Sequence, residues 1–488
     1  MKGMDCSRRS FIGGAAAFCG ASFLRVADAA QASGARLKLG VLSDIHVNGA
    51  GSEKWFVKAL EYYRGQGVDA VMIAGDLANI GRIDELQRVA DAWFKVFPDD
   101  RGADGRHVER LFVYGNHCIL GWRWGHGGRP PLSKDEEGSK RNAIGWGDNR
   151  ARAWRECFHE DFAPIWMKTV KGCSFVGAHW EERGDGIAIR DFMAKHGSEI
   201  DPSLPFFYCQ HAHPKDTCFG PWAWGHDDGR ATQALSPFPN AIAVSGHSHY
   251  SLTDERSIWQ GAFTSLNAGS LFDTSTEYSL RENGRFNRYG YKGEKDVRTH
   301  AMPEMRPIAH QGSLISVYDD RLAIHRREFD TDRALGEDWV LPLPAAEKKP
   351  FAFAARKATR VAPAFAADAK VTVKAGKDGK GNETVEVSFP PAETVKGCRV
   401  FEYEVTATLV EDGVDLVQAQ RRVLDPDYYL PEPVADRQGC TCVFAAAELP
   451  LKGRYRFSVR PLECFGAKGR EISAFHVRPQ IPMSVPLR

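Results

Sequence analysis

The chain of 488 residues is too long for one ordinary hydrophobic core, so its length predicts two or three domains. Hydrophobic residues make up 43% of it and charged residues 26%, which is typical of a globular protein. The formal net charge is +1, so no overall field recruits nucleic acid or an acidic membrane surface. These totals do not indicate a nucleic-acid-binding protein.

The first 29 residues are typical of an export signal. Arg8 and Arg9 precede a mildly apolar run at 13–24 that is too short to span a bilayer. Small residues around Ala27 and Ala29 follow, as at a signal-peptide cleavage site. The paired arginines favour the twin-arginine route over a disordered basic tail. We therefore expect a periplasmic or secreted protein with no transmembrane segment in its mature chain.

From residue 37 the chain alternates short apolar runs with amphipathic stretches. The predicted strands are 37–43, 70–74, 111–114, 175–178, 205–210 and 241–245, and the predicted helices are 55–65 and 84–97. This alternation is typical of an α/β domain in which helices cover a largely parallel sheet. Residues 119–149, rich in Trp, Gly and Pro, predict an ordered loop that lines a pocket.

Five of these strands lead into residues that can bind a metal ion. The five segments are Asp44-Ile45-His46, Gly75-Asp76, Gly115-Asn116-His117, His211 and Gly246-His247-Ser248-His249. The carboxyl ends of strands in α/β sheets gather at one site. Divalent metals take such O and N ligands, and two ions close together activate water against phosphorus. Each motif alone is more often a turn or a core histidine, but the ordered set predicts a metal site.

This ordered set resembles the calcineurin-like metallophosphoesterases, whose pattern is Asp-x-His, Gly-Asp, Gly-Asn-His-Asp/Glu, His and Gly-His-x-His. The resemblance covers about residues 37–330. It implies a two-layer β sandwich flanked by helices and two metal ions, which can be Fe, Mn or Zn. The implied ligands are Asp44, His46 and His249 for the first metal, Asn116, His211 and His247 for the second, and Asp76 as the bridge.

The implied reaction is hydrolysis of a phosphomonoester or phosphodiester by a hydroxide that the metals share. The substrate is then a phosphorylated small molecule or polymer. His117 follows a ligand, and the resemblance implies that it acts as a general acid or transition-state donor rather than as a structural residue. The family pattern continues with Asp or Glu where this chain has Cys118, which leaves open how the imidazole of His117 is oriented.

Three further residues are candidates for contact with the substrate. His213 competes with His211 as a ligand, but family ligands end the strand, which favours a substrate contact or a local pair for His213. Trp224 is predicted to stack on a base or sugar, and Arg230 to clamp a phosphate. The alternative for this segment is a surface turn that caps a helix.

The sequence changes character after the phosphoesterase-like region, which we place at 30–335. Residues 336–366, rich in Pro, Ala and Lys, predict a linker, and 367–488 predict an all-β domain with alternating strands and Gly/Pro turns. Its end resembles the last strands of a fibronectin type III domain, with Tyr455 as the tyrosine corner. This tail leaves a second function open, a non-catalytic surface or carbohydrate-binding protein that keeps the phosphoesterase fold as a scaffold.

Overall fold

The computed structural model describes residues 34–125, 130–133, 140–221, 223–275, 309–411, 413–435, 437, 439–449 and 452–478. The predicted export signal lies outside these residues and stays a prediction. Within them, no helix combines the length and the apolar character needed to cross a membrane.

In the described residues of the first part of the chain, the structure forms two mixed sheets, one small hairpin and six helices. The strands are β1 (Leu37–Leu42), β2 (Ala70–Ala74), β3 (Glu109–Val113), β4 (Ile165–Val170), β5 (Cys173–Ala178), β6 (Trp180–Glu181), β7 (Gly184–Asp185), β8 (Phe206–Cys209), β9 (Ala241–Ser245), β10 (Ile258–Gln260), β11 (Thr264–Asn267), β12 (Gln311–Val317), β13 (Arg321–Glu328), β14 (Arg333–Ala334) and β15 (Trp339–Pro342). The helices are α1 (Lys54–Gln66), α2 (Ile83–Val96), α3 (Asn116–Leu120), α4 (Asn149–Phe158), α5 (Ile189–His196) and α6 (Arg230–Leu235).

The first sheet has the order β14-β13-β12-β1-β2-β3, with β15 also paired to β13, and the second has the order β10-β11-β9-β8-β5-β4. Strands β1, β2 and β3 run parallel, as do β5, β8, β9 and β11. Strands β6 and β7 form a separate small hairpin. Because the central strands of each sheet are parallel, their carboxyl ends lie at one edge.

The main core lies between the two sheets. Val41 and Met72 from the first sheet meet Phe175, Phe207 and Val244 from the second, and all five side chains are fully buried. The rings of Phe175 and Phe207 stack with their centroids 4.9 Å apart. Strands buried on both faces have near-continuous apolar sequences, which is why periodicity alone marked these runs as core strands.

Helices cover the outer face of each sheet. On α2, Leu86, Val89, Ala90 and Trp93 recur at helical spacing and bury one face against the first sheet. Helices α5 and α6 bury Ile189 and the nearby apolar side chains against the second sheet. The layers therefore run helix, sheet, sheet, helix, which confirms the predicted fold class of a β sandwich flanked by helices.

Two predicted segments differ from expectation. Within the predicted linker at 336–366, β15 pairs with β13, and Trp339 and Leu341 enter the core between the sheets. Its proline-rich composition suggested an extended chain, yet a proline is tolerated at the end of an edge strand. The predicted loop at 119–149 begins inside α3 and continues as a 3₁₀ turn at Gly121–Arg123, while 126–129 and 134–139 lie outside the described residues.

The C-terminal region begins after helix α7 (Phe353–Thr359) and consists of two further sheets. Its strands are β16 (Thr372–Lys377), β17 (Glu383–Phe389), β18 (Glu402–Glu411), β19 (Val414–Leu424), β20 (Cys440–Ala445), β21 (Gly453–Leu462) and β22 (Ile472–Arg478). They form the sheets β16-β17-β20 and β19-β18-β21-β22. Val387, Val405, Phe444 and Phe457 share one buried core, so this region is an all-β sandwich.

The fibronectin type III assignment of this sandwich stays a prediction. Tyr455 is buried on β21 beside Phe457, with the ring centroids 6.0 Å apart. The hydroxyl of another buried tyrosine, Tyr403 on β18, accepts a hydrogen bond from the Ala392 N–H at 2.9 Å and donates one to Asp425 at 2.9 Å. Tyr403 thus links strand β18 by a hydrogen bond to the segment that contains Ala392.

The C-terminal sandwich contacts the first region of the chain partly through backbone carbonyls. Thr253 donates a hydrogen bond from Oγ1 to the Tyr428 carbonyl at 2.7 Å, and Gln311 donates one from Nε2 to the Tyr429 carbonyl at 2.9 Å. The guanidinium carbon of Arg256 lies 4.7 Å from the centroid of the Phe401 ring. The chain directly after the Gly-His-Ser-His segment therefore rests on the C-terminal sandwich.

Candidate metal centre

All five polar segments lie at the carboxyl ends of parallel strands. Asp44 follows β1, Asp76 follows β2, Asn116 follows β3, His211 follows β8 and His247 follows β9. The first three belong to one sheet and the last two to the other, so the site spans the edge of the sandwich. This is where open α/β sheets collect their ligands.

The first cluster contains Asp44, His46 and His249. One potential ligand atom from each lies within 4.8 Å of the others. The Nε2 atoms of His46 and His249 are 3.2 Å apart, and Asp44 Oδ1 is 3.0 Å from His249 Nε2. Two imidazole nitrogens and one carboxylate oxygen thus point at one small volume.

The second cluster contains Asp76, His211 and His247, again with one potential ligand atom each within 4.8 Å of the others. His247 Nδ1 is 3.2 Å from His211 Nε2, which is 3.0 Å from Asp76 Oδ2. The same Asp76 oxygen lies 3.6 Å from His46 Nε2 in the first cluster. Asp76 therefore stands between the two clusters, where a bridging ligand is needed.

Asn116 stands next to these clusters at the start of α3. Its side chain is 7% exposed, and its buried Oδ1 accepts no hydrogen bond from the described residues. An unpaired buried oxygen is costly unless some group outside the chain satisfies it. Together the seven side chains offer two carboxylates, one carboxamide and four imidazoles, a donor set that fits Fe, Mn or Zn ions.

The backbone is in an unusual conformation at five of the seven residues. Asp44, His46, Asp76, His247 and His249 have φ values of 50°, 48°, 48°, 70° and 55°. Non-glycine residues in the left-handed region cost of order 1–3 kcal/mol each and cluster at functional sites. Here the conformation turns each side chain back from its strand end toward the shared centre.

One glycine is required for the two halves to approach each other. A Cβ on Gly246 would lie 1.8 Å from Ser43 Oγ and 2.4 Å from Asp44 Oδ2. The His247 N–H donates to Asp44 Oδ2 at 2.9 Å, which joins the β9 loop directly to the β1 loop. The glycine of the Gly-His-x-His segment therefore serves close packing between two ligand loops.

Two imidazoles are oriented by hydrogen bonds from their other nitrogen. His211 Nδ1 donates to the Ala74 carbonyl at 2.7 Å, and His249 Nδ1 donates to Asp273 at 2.5 Å. Such partners fix the tautomer and ring orientation of metal-binding histidines. Asp273 was missed in the sequence, because it follows none of the strands that end in a ligand motif.

His117 lies beside both clusters. Its Nδ1 donates to the Asn79 carbonyl at 2.8 Å, its backbone N–H donates to Asp76 Oδ1 at 2.8 Å, and its ring centroid is 4.6 Å from that of His46. One of its ring nitrogens is within 4.8 Å of potential ligand atoms of His46 and Asp76. A backbone carbonyl thus orients His117, which answers the question raised by the missing acid.

Cys118 cannot take the place of that acid. It is fully buried, and its Sγ accepts a hydrogen bond from the Ala78 N–H at 3.5 Å. Burial and the charge of Asp76 raise the pKa of the Cys118 thiol to about 12, so it is neutral at ordinary pH. Its role is packing beneath the site.

The carboxylates and imidazoles of the centre shift one another's pKa values. Burial lowers the pKa of His211, but the carboxylates Asp76 and Asp44 outweigh it and raise this pKa to about 9. The pKa of His249 is likewise raised, by Asp44 and Asp273 against the effect of burial. Burial and the charge of His211 lower the pKa of His247 to about 3. Since imidazole binds metal in its neutral form, loading this site releases protons.

The three predicted substrate contacts lie in different surroundings. His213 is fully buried, with Ser245 Oγ 2.7 Å from Nδ1 and Ser248 Oγ 2.8 Å from Nε2, so it braces the loop between His247 and His249. Trp224 is half-buried and stacks on His247 at 4.6 Å between ring centroids. Arg230 begins α6 and pairs with Asp228 at 2.6 Å.

Two tryptophans that the sequence did not single out also border the centre. The half-exposed ring of Trp124 stacks on His117 at a centroid distance of 5.0 Å. Trp180 lies 5.6 Å from His247, and its buried indole N–H has no acceptor among the described residues. Only the tertiary structure brings these rings to the site, although the Trp-rich composition of 119–149 was a partial signal.

Comparison with known proteins identifies the domain that carries this centre. Residues 37–251 match the family model of the calcineurin-like phosphoesterases, and the match includes His117 and all seven ligand candidates. This domain, with its histidine and carboxylate clusters, is that of a metal-dependent phosphoester hydrolase. No curated protein matches the sequence.

Solved structures show a more distant likeness. A conserved predicted phosphoesterase from Streptococcus pneumoniae is 12% identical, with 63% of this chain and 97% of that chain covered and a TM-score of 0.26. GAP50, the anchor in the inner membrane complex of Plasmodium, is 10% identical, with 63% and 88% covered and a TM-score of 0.34.

Proposed function

We propose that this chain is an exported phosphoesterase that hydrolyses a phosphomonoester or phosphodiester, with His117 as the proton donor in the reaction. The observation that carries the proposal is the position of Asp76, whose Oδ2 is 3.0 Å from His211 Nε2 and 3.6 Å from His46 Nε2. A carboxylate between two imidazole clusters is the arrangement that a dinuclear centre requires.

The chain supplies the frame of the reaction. When bound, two metal ions lower the pKa of water and neutralise charge on the phosphoryl oxygens. Asp44, His46 and His249 would hold one ion and Asn116, His211 and His247 the other, with Asp76 shared. Hydrogen bonds to Asp273 and to the Ala74 carbonyl orient the imidazoles of His249 and His211.

His117 supplies the proton. Its Nδ1–H is committed to the Asn79 carbonyl, so the tautomer is set and a proton is exchanged at Nε2. Trp124 covers one face of the ring and limits the access of water to it. Both contacts fix the imidazole relative to Asp76, so that the donor and the ligand cluster act on the same phosphoryl group.

The proposal of export comes from the sequence. The paired Arg8 and Arg9 and the short apolar run support the twin-arginine route and a periplasmic or secreted location. This route transports folded proteins, so metals would be acquired before export. A cleaved N-terminus near Ala29 in protein recovered outside the cytoplasm supports the proposal, whereas an intact chain retained in the cytoplasm contradicts it.

The hydrolytic function is tested with Asp76→Asn on 4-nitrophenyl phosphate. We expect turnover to fall by more than about 100-fold, since even residues that only support metal ligands cost 10–100-fold. Asp191→Asn, an exposed aspartate on α5, is the matched control and should retain wild-type turnover. Unchanged turnover in Asp76→Asn would rule out the two-metal reaction. Wild-type protein that carries no metal and is inactive after reloading would favour the non-catalytic scaffold instead.

A further inference from the structure

A cavity of about 440 Å³ lies beside the metal centre and contains none of the seven ligand candidates. Three segments form it: the end of α3, the chain leading into α4, and the β6–β7 hairpin with the residues after it. Ile119 and Ile187 supply the apolar wall, and the charged lining residues are Arg150, Glu181, Glu182 and Arg183. Its chemistry is therefore amphipathic and unlike that of the metal centre.

The cavity walls are continuous with the metal-facing edge, by which we mean the strand ends and loops that carry the seven ligand candidates. Ile119 is two residues from His117 on α3, and Glu181 directly follows Trp180, whose ring is 5.6 Å from His247. The backbone N–H of Trp180 donates to the Tyr114 carbonyl at 2.9 Å, which anchors the hairpin to the end of β3. A substrate with its phosphoryl group at the metal centre thus has the cavity next to it.

Close backbone packing shapes the wall nearest α3. A Cβ on Gly145 would lie 1.8 Å from the Ile119 carbonyl oxygen, so only glycine permits this approach. The neighbouring Ile144 N–H donates to the Gly81 carbonyl at 2.8 Å and fixes the same segment. The cavity is therefore bounded by well-anchored backbone.

The charges around the cavity do not cancel. Glu182, which is also on the lining, accepts a hydrogen bond from Arg123 at 2.7 Å. Arg123 therefore adds a third positive charge to those of Arg150 and Arg183, against the two carboxylates of Glu181 and Glu182, so one positive charge is in excess. Arg150 and Arg183 have no ion pair and no side-chain hydrogen bond among the described residues. Guanidinium groups are suited to bidentate contacts with phosphate and carboxylate.

We propose that this cavity binds a second anionic group, a phosphate or a carboxylate, on the part of the substrate beyond the scissile phosphate. Arg150 and Arg183 contact the anion, and Ile119 and Ile187 pack against the carbon chain that joins it to the reacting group. This assignment rests on the proposed phosphoesterase function and narrows the substrates to phosphate esters that carry a second anionic group.

The test compares matched substrates. Alkanediol bisphosphates and ω-carboxyalkyl phosphates of two to six carbons are measured against alkyl monophosphates of the same length, with 4-nitrophenyl phosphate as the general probe. The variants are Arg150→Gln and Arg183→Gln, and Arg155→Gln, exposed on α4, is the control. Arg183 is exposed, so its replacement should not affect folding, and a change in the Arg183→Gln variant reports on substrate binding.

We expect the wild type to prefer the member of each pair that carries a second anionic group, most strongly at one chain length. Each arginine variant should reduce this preference in kcat/KM by roughly 10- to 100-fold, as expected for loss of one charge-assisted contact. Preference for bisphosphates or for carboxylates identifies the anion. The control should keep the wild-type ratio.

Two failures are distinguishable. If the wild type hydrolyses 4-nitrophenyl phosphate but its preference is absent or the same in both arginine variants, the cavity assignment is overturned and the phosphoesterase function stands. If the metal-loaded wild type hydrolyses none of the phosphate esters, the proposed function fails and the cavity assignment fails with it.

Discussion

The metal-facing edge and the C-terminal sandwich use their backbones in opposite ways. At the edge, five of the seven ligand candidates have positive φ, whereas Lys396, in a turn, is the one non-glycine residue with positive φ described between 367 and 478. The sandwich instead consists of long ladders: β18 pairs with β21 without a break and with β19 across one bulge between Ala407 and Thr408. Strained conformations thus concentrate where side chains must converge, and regular pairing prevails where burial alone is needed.

The burial of polar groups shows the same contrast. At the edge, carboxylates and imidazoles such as Asp44 and His211 are fully buried among one another. In the sandwich the shared core is apolar, with Val405 and Phe457 among its fully buried members, and buried acids are paired with arginines, as Glu402 is with Arg422 at 3.1 Å. Buried charges contribute little to stability, so the edge is maintained for chemistry while the sandwich supplies packing.

The largest effect that would sharpen this contrast comes from His117→Asn. We expect kcat on alkyl phosphates to fall by about 10²–10⁴-fold, the usual contribution of general acid catalysis. The loss should be smaller on 4-nitrophenyl phosphate, because that leaving group needs little protonation. The measurement is kcat against leaving-group pKa, with the exposed His107→Asn as control. Equal losses on both substrates would show that His117 does not donate the proton.

A smaller effect, on stability alone, is expected from Phe457→Ala in the sandwich. The Phe457 ring is fully buried with Phe444 at a centroid distance of 5.7 Å. Its truncation should lower the free energy of unfolding by about 3–5 kcal/mol in urea denaturation. Val477→Ala, at an exposed position, should change it by less than about 0.5 kcal/mol.

Phe457→Ala also tests whether the core of the sandwich affects activity at the metal-facing edge. The folded variant should keep the wild-type kcat, because the contacts described between the two regions involve Tyr428, Tyr429 and Phe401, which lie outside the core that contains Phe457. Loss of turnover in the fully folded variant would mean that the sandwich core governs the geometry of the metal-facing edge.

Much of the architecture could be predicted from the sequence because it follows from local patterns. Apolar runs marked β1, β2 and β9 to within a few residues, and the strand-end rule brought the donors of two sheets to one edge. The β15 strand was assigned to a linker because its prolines outweighed its short apolar pattern. Its pairing with β13 is a tertiary contact that no local signal encodes.

The surroundings of the site were less accessible from the sequence. The Asn79 carbonyl orients His117, and a backbone oxygen has no signature in the sequence. Asp273 and Trp180 reach the centre from segments without a recognisable motif. For His213 the sequence left a substrate contact and a local pair open, and only the tertiary structure shows it buried between Ser245 and Ser248.

The most direct measurement of the central claim is the metal content of the purified, folded protein. We expect two metal ions per folded chain by elemental analysis, with chelation abolishing turnover of 4-nitrophenyl phosphate and lowering the melting temperature, and reloading restoring both. Reloading should also release protons, since neighbouring carboxylates raise the pKa values of His211 and His249 and a metal binds the neutral imidazole. A folded chain that takes up no metal and hydrolyses no phosphate ester would contradict the account.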